Sequence, residues 1–224
     1  EGIVKSTHTL CFNSPKFSFV LPENWEYVGE FHILDIGLDK NYIGSLHSPF
    51  YYLTKAFLKK SLKHRKKFDH KGIFGHLLIV SGSKGMMGAT ILSAKAALSS
   101  GVGKLSILSP KCGEHILQTT VLEATLEENI GKNYLSNIYN LKHDWLAIGP
   151  GIGTKTSTKK FLITLLKKVK KPLVLDADAL NIISSEKKLL NLVPSNSIIT
   201  PHPKELERLV GKWKSDNKKL DLLK

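Results

Sequence analysis

Cysteine is nearly absent from this chain. Cys11 and Cys112 are the only two, they lie far apart, and they share no metal-ligand spacing. That argues against a disulfide framework or a cysteine zinc site, and two plain thiols suit a reducing compartment, so a cytoplasmic location is expected. Long apolar runs are missing too. None approaches the roughly 18 residues that a membrane span needs, so no membrane partner is expected. The first residue is Glu1 rather than Met, and no basic-then-apolar leader follows it. The start reads as a processed end or the edge of a fragment. Acidic residues are scarce, with 19 Asp and Glu against 33 Lys and Arg and a formal net charge of +14. Such an excess can attract nucleic acid, anionic lipid or phosphorylated metabolites. Most of it, however, is lysine scattered over expected helices and linkers. The densest run, Lys59 to Lys67, has only Phe68 beside it and offers no row of aromatics for stacked bases. The charge therefore reads as solvated surface with some steering of an anionic ligand, and no nucleic acid is expected.

What remains is ordinary globular material: 224 residues, 42% hydrophobic, enough for one sizeable core and a smaller flanking piece. The first forty residues differ from the rest. Thr9 to Phe12 and Phe17 to Leu21 have the composition of short strands, with a break at Asn13-Ser14-Pro15, and Gly29 to Gly37 suggests one more. Residues 41 to 70 read as a connector. Within it Tyr51 to Leu62 carries helical spacing, with Leu53, Phe57, Leu58 and Leu62 on one side. From about residue 71 a regular alternation begins. Strands are expected at His76–Val80, Lys104–Leu108, Trp145–Ile148, Leu173–Leu175 and Ser197–Thr200. Helices are expected at Ala89–Ser99, Gly113–Val121, Asn133–Leu141, Thr156–Val169, around Leu180–Ile183 and Glu186–Leu190, and at Pro203–Val210. Apolar strands alternating with helices imply an α/β fold, a mostly parallel sheet with helices on both faces.

In open α/β sheets ligands bind beyond the carboxyl ends of the strands, and four segments fall there. Ser81 to Ala89 is glycine-rich and leads into a helix, a ligand loop or equally a tight turn; it is neither GxGxxG nor a Walker A sequence. Gly149-Pro150-Gly151-Ile152-Gly153-Thr154 makes a second corner able to accept an anion, with Thr154 or Thr156 available to cap the next helix. Asp176-Ala177-Asp178-Ala179-Leu180-Asn181 places two carboxylates at a strand end, for Mg²⁺, hydroxyls or water, or simply for helix capping. In Thr200-Pro201-His202-Pro203-Lys204-Glu205, Pro203 suits the first helical position. His202 then becomes the N-cap and Glu205 the partner in a capping box. The flanking prolines favour a functional His202 held at the ligand edge.

Together the stretches HKGIFGHLLIVSGSKGMMGAT, LAIGPGIGT, PLVLDADALN and TPHPKELERLVG resemble the NAD(P)H-hydrate dehydratase family, a branch of the ribokinase-like fold, in order and spacing. The resemblance covers roughly Lys71 to Gly211. The stretch TLCFNSPKFSFVLPE…VGEFHILDIGL resembles the last strands of the NAD(P)H-hydrate epimerase domain that precedes the dehydratase in bifunctional proteins.

The resemblance implies a domain plan: 1–40 the end of an epimerase domain, 41–70 a linker, 71–224 the N-terminal two-thirds of a dehydratase domain. The ribokinase-like sheet would be incomplete at its C-terminus. It further implies ADP- or ATP-dependent dehydration of hydrated NADH or NADPH, with Mg²⁺ as the usual companion of phosphoryl transfer. A homo-oligomer is expected of the full-length protein. Carried over by position, Ala89, Gly151, Gly153 and His202 would contact the substrate, with Asp176, Asp178 and Asn181 in support. No catalytic residue is assigned: the family's GGSGD segment, with its Asp base, has no counterpart before Lys224. The chain as written is accordingly expected to turn over neither substrate. A ribokinase-like kinase of a small alcohol, of hydroxyethylthiazole or pyridoxine type, is the alternative.

Overall fold

The structure is a computed structural model that describes residues 2–62, 64–139 and 141–223. It divides into two compact units, residues 1–65 with 213–224, and residues 66–212.

In the first unit, β1 (His8–Phe12) and β2 (Glu30–Leu34) pair in parallel, His8 opposite Glu30 and Leu10 opposite His32. Parallel neighbours need a crossover between them. The intervening chain supplies it as two 3₁₀ turns, Phe17–Val20 and Pro22–Asn24, and the short α1 (Trp25–Val28). The strand expected at Phe17–Leu21 is therefore a turn. Its Phe17 ring stacks on Phe50 with centroids 4.4 Å apart, and the Asn24 amide donates to the Ser18 carbonyl at 2.9 Å. Gly29 turns the chain into β2 at φ 59°, where a Cβ would lie 2.2 Å from the Ser6 carbonyl oxygen; no other residue fits.

Two helices follow. α2 (Lys40–Ser45) starts at Asp39, whose carboxylate accepts from the N–H groups of Asn41 and Tyr42; α3 (Lys55–Ser61) starts at Thr54, whose hydroxyl accepts from Phe57 N–H. The helix expected from Tyr51 is thus shorter, because Thr54 caps it. Its apolar side chains Leu53, Phe57, Leu58 and Leu62 are exposed, so helical spacing there does not mark a buried face. Of the basic run Lys59–Lys67, Lys63 lies outside the described residues.

The second unit is built on a six-stranded, wholly parallel sheet. Its strands are β3 (His76–Val80), β4 (Lys104–Leu108), β5 (Thr125–Glu127), β6 (Trp145–Ile148), β7 (Val174–Leu175) and β8 (Ile198–Ile199), in the order β5-β4-β3-β6-β7-β8. Five of the six were expected within a residue or two; β5, three residues at the edge, was not. The expected α/β class with a mostly parallel sheet holds.

Successive strand residues face opposite sides, and the core divides accordingly. Leu78, Val80, Leu146, Ile148 and Leu175 pack with α6 (Thr156–Lys168) and α7 (Ala177–Ser185) through Leu162, Leu165, Leu180 and Ile183. Ile79, Leu105 and Ile107 pack with α4 (Met87–Ser99) and α5 (Glu114–Thr120) through Met87, Ala94 and Leu117. Each such Leu or Ile removed from water contributes about 1.5–3 kcal/mol. A 3₁₀ stretch, Lys187–Leu192, and α8 (Pro203–Val210) complete this unit; α9 (Asp216–Asp221) belongs to the first.

The helix expected at Asn133–Leu141 does not form among its described residues; Asn140 lies outside them. The backbone there is used differently. The Gly131, Lys132 and Asn133 carbonyls accept from the N–H groups of Lys111, Cys112 and Lys84, the loops after β4 and β3. Leu135 and Ile138 are sunk into the core. The segment is a strap across the strand ends, and its inter-loop hydrogen bonds replace those of a helix.

Candidate functional site

The strand order reverses between β3 and β6, with β4 and β5 to one side and β7 and β8 to the other. In parallel sheets this switch point opens a crevice at the carboxyl ends of the two central strands. The segments singled out from the sequence emerge from β3, β6, β7 and β8, so parallel pairing puts them along one rim in that order.

At the crevice the β3 and β6 loops are knit together. Gly82 N–H donates to the Pro150 carbonyl at 3.0 Å. The Ser81 hydroxyl donates to the same oxygen at 2.6 Å and lies 3.0 Å from Thr90 Oγ1. The Ser83 hydroxyl donates to the Gly151 carbonyl at 2.8 Å. Ser81, Ser83 and Thr90 are buried, and their interior hydrogen bonds are what make that burial tolerable. Ser81 and Ser83 lie in the glycine-rich stretch singled out from the sequence and Thr90 directly after it, but none was given an individual role. For Ser81 and Ser83, polar residues directly after an apolar strand were the available signal.

Gly151 sits at φ 66°, where a Cβ would come within 2.8 Å of the Met86 carbonyl oxygen and 3.2 Å of the Ala89 methyl. Ala89 and Gly151 are therefore neighbours. Gly153 sits at φ 73° in a more open place, its missing Cβ facing Tyr134 Cε1 at 3.5 Å and Ser83 Oγ at 3.7 Å. Tyr134, carried by the strap, is a further residue that sequence reading missed.

The N–H groups of Gly82 and Gly153 are used within the protein. Gly153 N–H donates to Asp178 Oδ2 at 2.9 Å. Asn181 Nδ2 donates to Asp178 Oδ1 at 3.5 Å, and Asn181 Oδ1 accepts from Arg208 Nη1 at 2.6 Å. Asp178 is thus a clamp on the β6 corner and not the cap of α7. Asp176 occupies that N-cap position and makes no side-chain capping bond. Ala177 beside it has φ 46°, a left-handed conformation that costs a non-glycine residue about 1–2 kcal/mol. Neither Thr154 nor Thr156 caps α6, whose N-cap residue is Lys155. Thr158, one turn on, donates to the Ile152 carbonyl at 3.3 Å.

His202 is the N-cap of α8, as the prolines foretell. Its Nδ1 accepts from Lys204 N–H at 3.2 Å, so the proton of a neutral ring sits on Nε2, which lies 3.3 Å from Glu205 Oε1. The other Glu205 oxygen accepts from His202 N–H at 3.0 Å. Glu205 is buried while the imidazole is 56% exposed at the rim.

Thr154, Lys159, Asn181 and Arg208 border a cleft of about 640 Å³ on this rim. A smaller, more apolar cavity of about 210 Å³ lies beside Asp144, Trp145 and Pro172, at the amino ends of β6 and β7. That is the opposite end of the sheet, where parallel α/β folds do not build their ligand sites.

A family model described as NAD(P)H-hydrate dehydratase matches residues 77–224. The chain belongs to that family. Among its relatives, the bifunctional NAD(P)H-hydrate repair enzyme of Moorella thermoacetica is 32% identical over 217 residues, covering 93% of this chain and 41% of the relative. The ADP-dependent (S)-NAD(P)H-hydrate dehydratase of Lactococcus lactis is 34% identical, covering 71% of this chain and 57% of the relative. The crystal structure of the ADP/ATP-dependent NAD(P)H-hydrate dehydratase of Bacillus subtilis, co-crystallised with ATP and Mg²⁺, is 28% identical. It superposes with a TM-score of 0.58 over 70% of this chain and 55% of that one. A ribokinase-like superfamily protein of Enterococcus faecalis, 21% identical, shares the fold with a TM-score of 0.59, covering 73% of this chain and 60% of that one. The chain thus spans well under two thirds of the curated relatives it matches, and its sheet is of the ribokinase-like kind.

Proposed function

We propose that this dehydratase-family chain is the larger part of a dehydratase domain that, using ADP or ATP, returns hydrated NADH or NADPH to the normal coenzyme in the cytoplasm. On this reading residues 1–40 are the end of an epimerase domain and 41–70 the linker to the dehydratase domain. The Moorella relative, which is bifunctional, aligns over 93% of the chain and so beyond the dehydratase match.

The observation that carries the reading is the convergence at one rim. Ala89 lies beside Gly151, where an added Cβ would meet its methyl, Gly153 is fixed by Asp178, and His202 stands exposed two strands from β6. The nucleotide of the substrate lies along the β3 and β6 corners, where bare glycines let it approach the backbone. His202, with Nδ1 on the Lys204 N–H and Nε2 facing Glu205, is held by its own helix with its exposed imidazole at the rim, where it can meet the ligand. Asp178 and Asn181 act through Gly153, holding it in place, and Asp176 supports the same turn. The nucleoside phosphate supplies the phosphoryl group that makes the ring hydroxyl a leaving group. Mg²⁺ would come with the nucleotide phosphates and water in most of its positions and needs no more than one or two protein carboxylates. Asp178 is engaged by Gly153 and Asn181, and Asp176, which makes no capping bond, is the other carboxylate of this rim.

Calorimetric titration of the chain with hydrated NADH and hydrated NADPH tests the proposal, with hydroxyethylthiazole and pyridoxine as rivals. Saturable binding of a hydrate, weakened by Gly153→Ala in a protein that still folds, is expected. Binding of the small alcohols and not of either hydrate would overturn it in favour of a kinase.

A further inference from the structure

His8, Glu30 and His32 share one face of the β1–β2 pair. His8 lies directly opposite Glu30 in the register, and His32, two residues on from Glu30, points the same way. The Nδ1 atom of His8 and the Nε2 atom of His32 are 3.2 Å apart. The Glu30 carboxylate reaches to 4.0 Å from the first nitrogen and 3.9 Å from the second. All three donor atoms fall within 4.8 Å of one another, and no other triad of His, Cys, Asp or Glu does so among the described residues.

We infer that His8, His32 and Glu30 form a binding site for a divalent transition-metal ion of the zinc type, with its remaining position open to water. The spacing is that of a shared ion. Two nitrogens bound to one tetrahedral zinc at about 2.0–2.1 Å stand about 3.3 Å apart. A hydrogen bond between the rings would use one lone pair and one proton; a dication uses both lone pairs. The two distances are to different carboxylate oxygens, so one oxygen has to close by about 0.6 Å or more to reach the same ~3.3 Å spacing, a side-chain movement that Glu30, 70% exposed, has the freedom to make. It also supplies negative charge that offsets part of the ion's own. Two imidazoles and one carboxylate select zinc, cobalt or nickel over magnesium or calcium, which take oxygen ligands. The site rests on the first unit alone and is independent of the dehydratase reading.

The test is cobalt titration of the tag-free chain, followed by the visible ligand-field bands of the bound ion, with zinc as competitor. One equivalent should bind and zinc should displace it. His8→Ala and His32→Ala should each weaken binding at least tenfold, the loss that even outer partners of a metal site can cause, and the double variant should abolish the bands. His47→Ala, an exposed histidine outside the triad, should leave them intact, as should Cys11→Ser and Cys112→Ser. Far-ultraviolet circular dichroism checks that each variant folds. Cobalt bands that persist in the folded double variant, displacement by an equal amount of Mg²⁺, or no uptake by the folded wild type would each overturn the assignment.

Discussion

Asp178 accepts a hydrogen bond from the backbone of Gly153 at 2.9 Å, twenty-five residues away in the chain. This contact converts two strand-end turns into one piece. It continues through Asn181 to Arg208 on α8, so the β6 corner, α7 and α8 are linked in series. The positions of Gly153 and of the helix that carries His202 are thereby coupled through side chains that need not touch a ligand.

Removing the clamp should be measurable. Asp178→Ala leaves the Gly153 N–H without its charged acceptor and should cost about 1.5–3 kcal/mol, the range for hydrogen bonds to charged groups. Asp178→Asn keeps an oxygen that can accept and should cost less. Urea denaturation midpoints of the two variants check this order.

Two glycines of the same corner should respond differently. At Gly149, φ 131°, a Cβ would lie 1.8 Å from the Asp176 carbonyl oxygen. Backbone has to move, so Gly149→Ala should lose several kcal/mol, more than about 4, and fold poorly. At Gly153 the nearest atoms are 3.5 Å or more away, and only the left-handed conformation is penalised, by about 1–2 kcal/mol. Gly153→Ala should fold and show its defect in affinity for the hydrated coenzyme. Thermal melting and ligand titration separate the two effects.

The strong periodic elements were legible because one signal fixes each of them. Leu77–Val80 is an unbroken apolar run, Leu105–Leu108 is one interrupted only by Ser106, and Pro203–Val210 carries its own start signal in His202, Pro203 and Glu205. What sequence missed depends on partners remote in the chain. The edge strand at Thr125–Glu127 is too short to show a period and exists by pairing with β4. The strap containing Tyr134 looks helical until its carbonyls are claimed by the loops after β3 and β4. The role of Asp178 was open between ligand and cap, because nothing local says that its acceptor oxygen will meet Gly153. Phe17–Val20 has strand composition, but the parallel pairing of its neighbours requires a crossover there.

Stability should fall on mild acidification through His76. Burial, then the positive charges of His143 and Lys104, holds its imidazole below the usual 6.5, against a weaker pull from Glu127 and Asp144. The unfolded chain therefore takes up a proton more readily than the folded one. The stability that the neutral ring confers is complete above about pH 6.5 and is lost as pH falls from there toward the lower folded value. The ring also meets the Ser106 hydroxyl at 2.9 Å. His76→Gln, which keeps a polar group near that hydroxyl without titrating, should flatten this part of the stability profile. Denaturation midpoints across the pH range would show it.

Glu205 should matter through His202. One carboxylate oxygen accepts from the His202 N–H at 3.0 Å and the other faces its ring Nε2 at 3.3 Å, while the side chain itself is buried. Glu205→Ala opens the capping box, at a cost of about 0.5–2 kcal/mol, and frees the imidazole to turn away from the rim. Glu205→Gln retains an acceptor for the backbone N–H but loses the negative charge beside the ring. If His202 contacts the substrate, both variants should bind hydrated NADPH more weakly than wild type, with the Ala variant also melting lower. Paired melting and titration experiments distinguish the outcomes. An Ala variant that melts lower but binds normally would show that the buried carboxylate serves the helix alone.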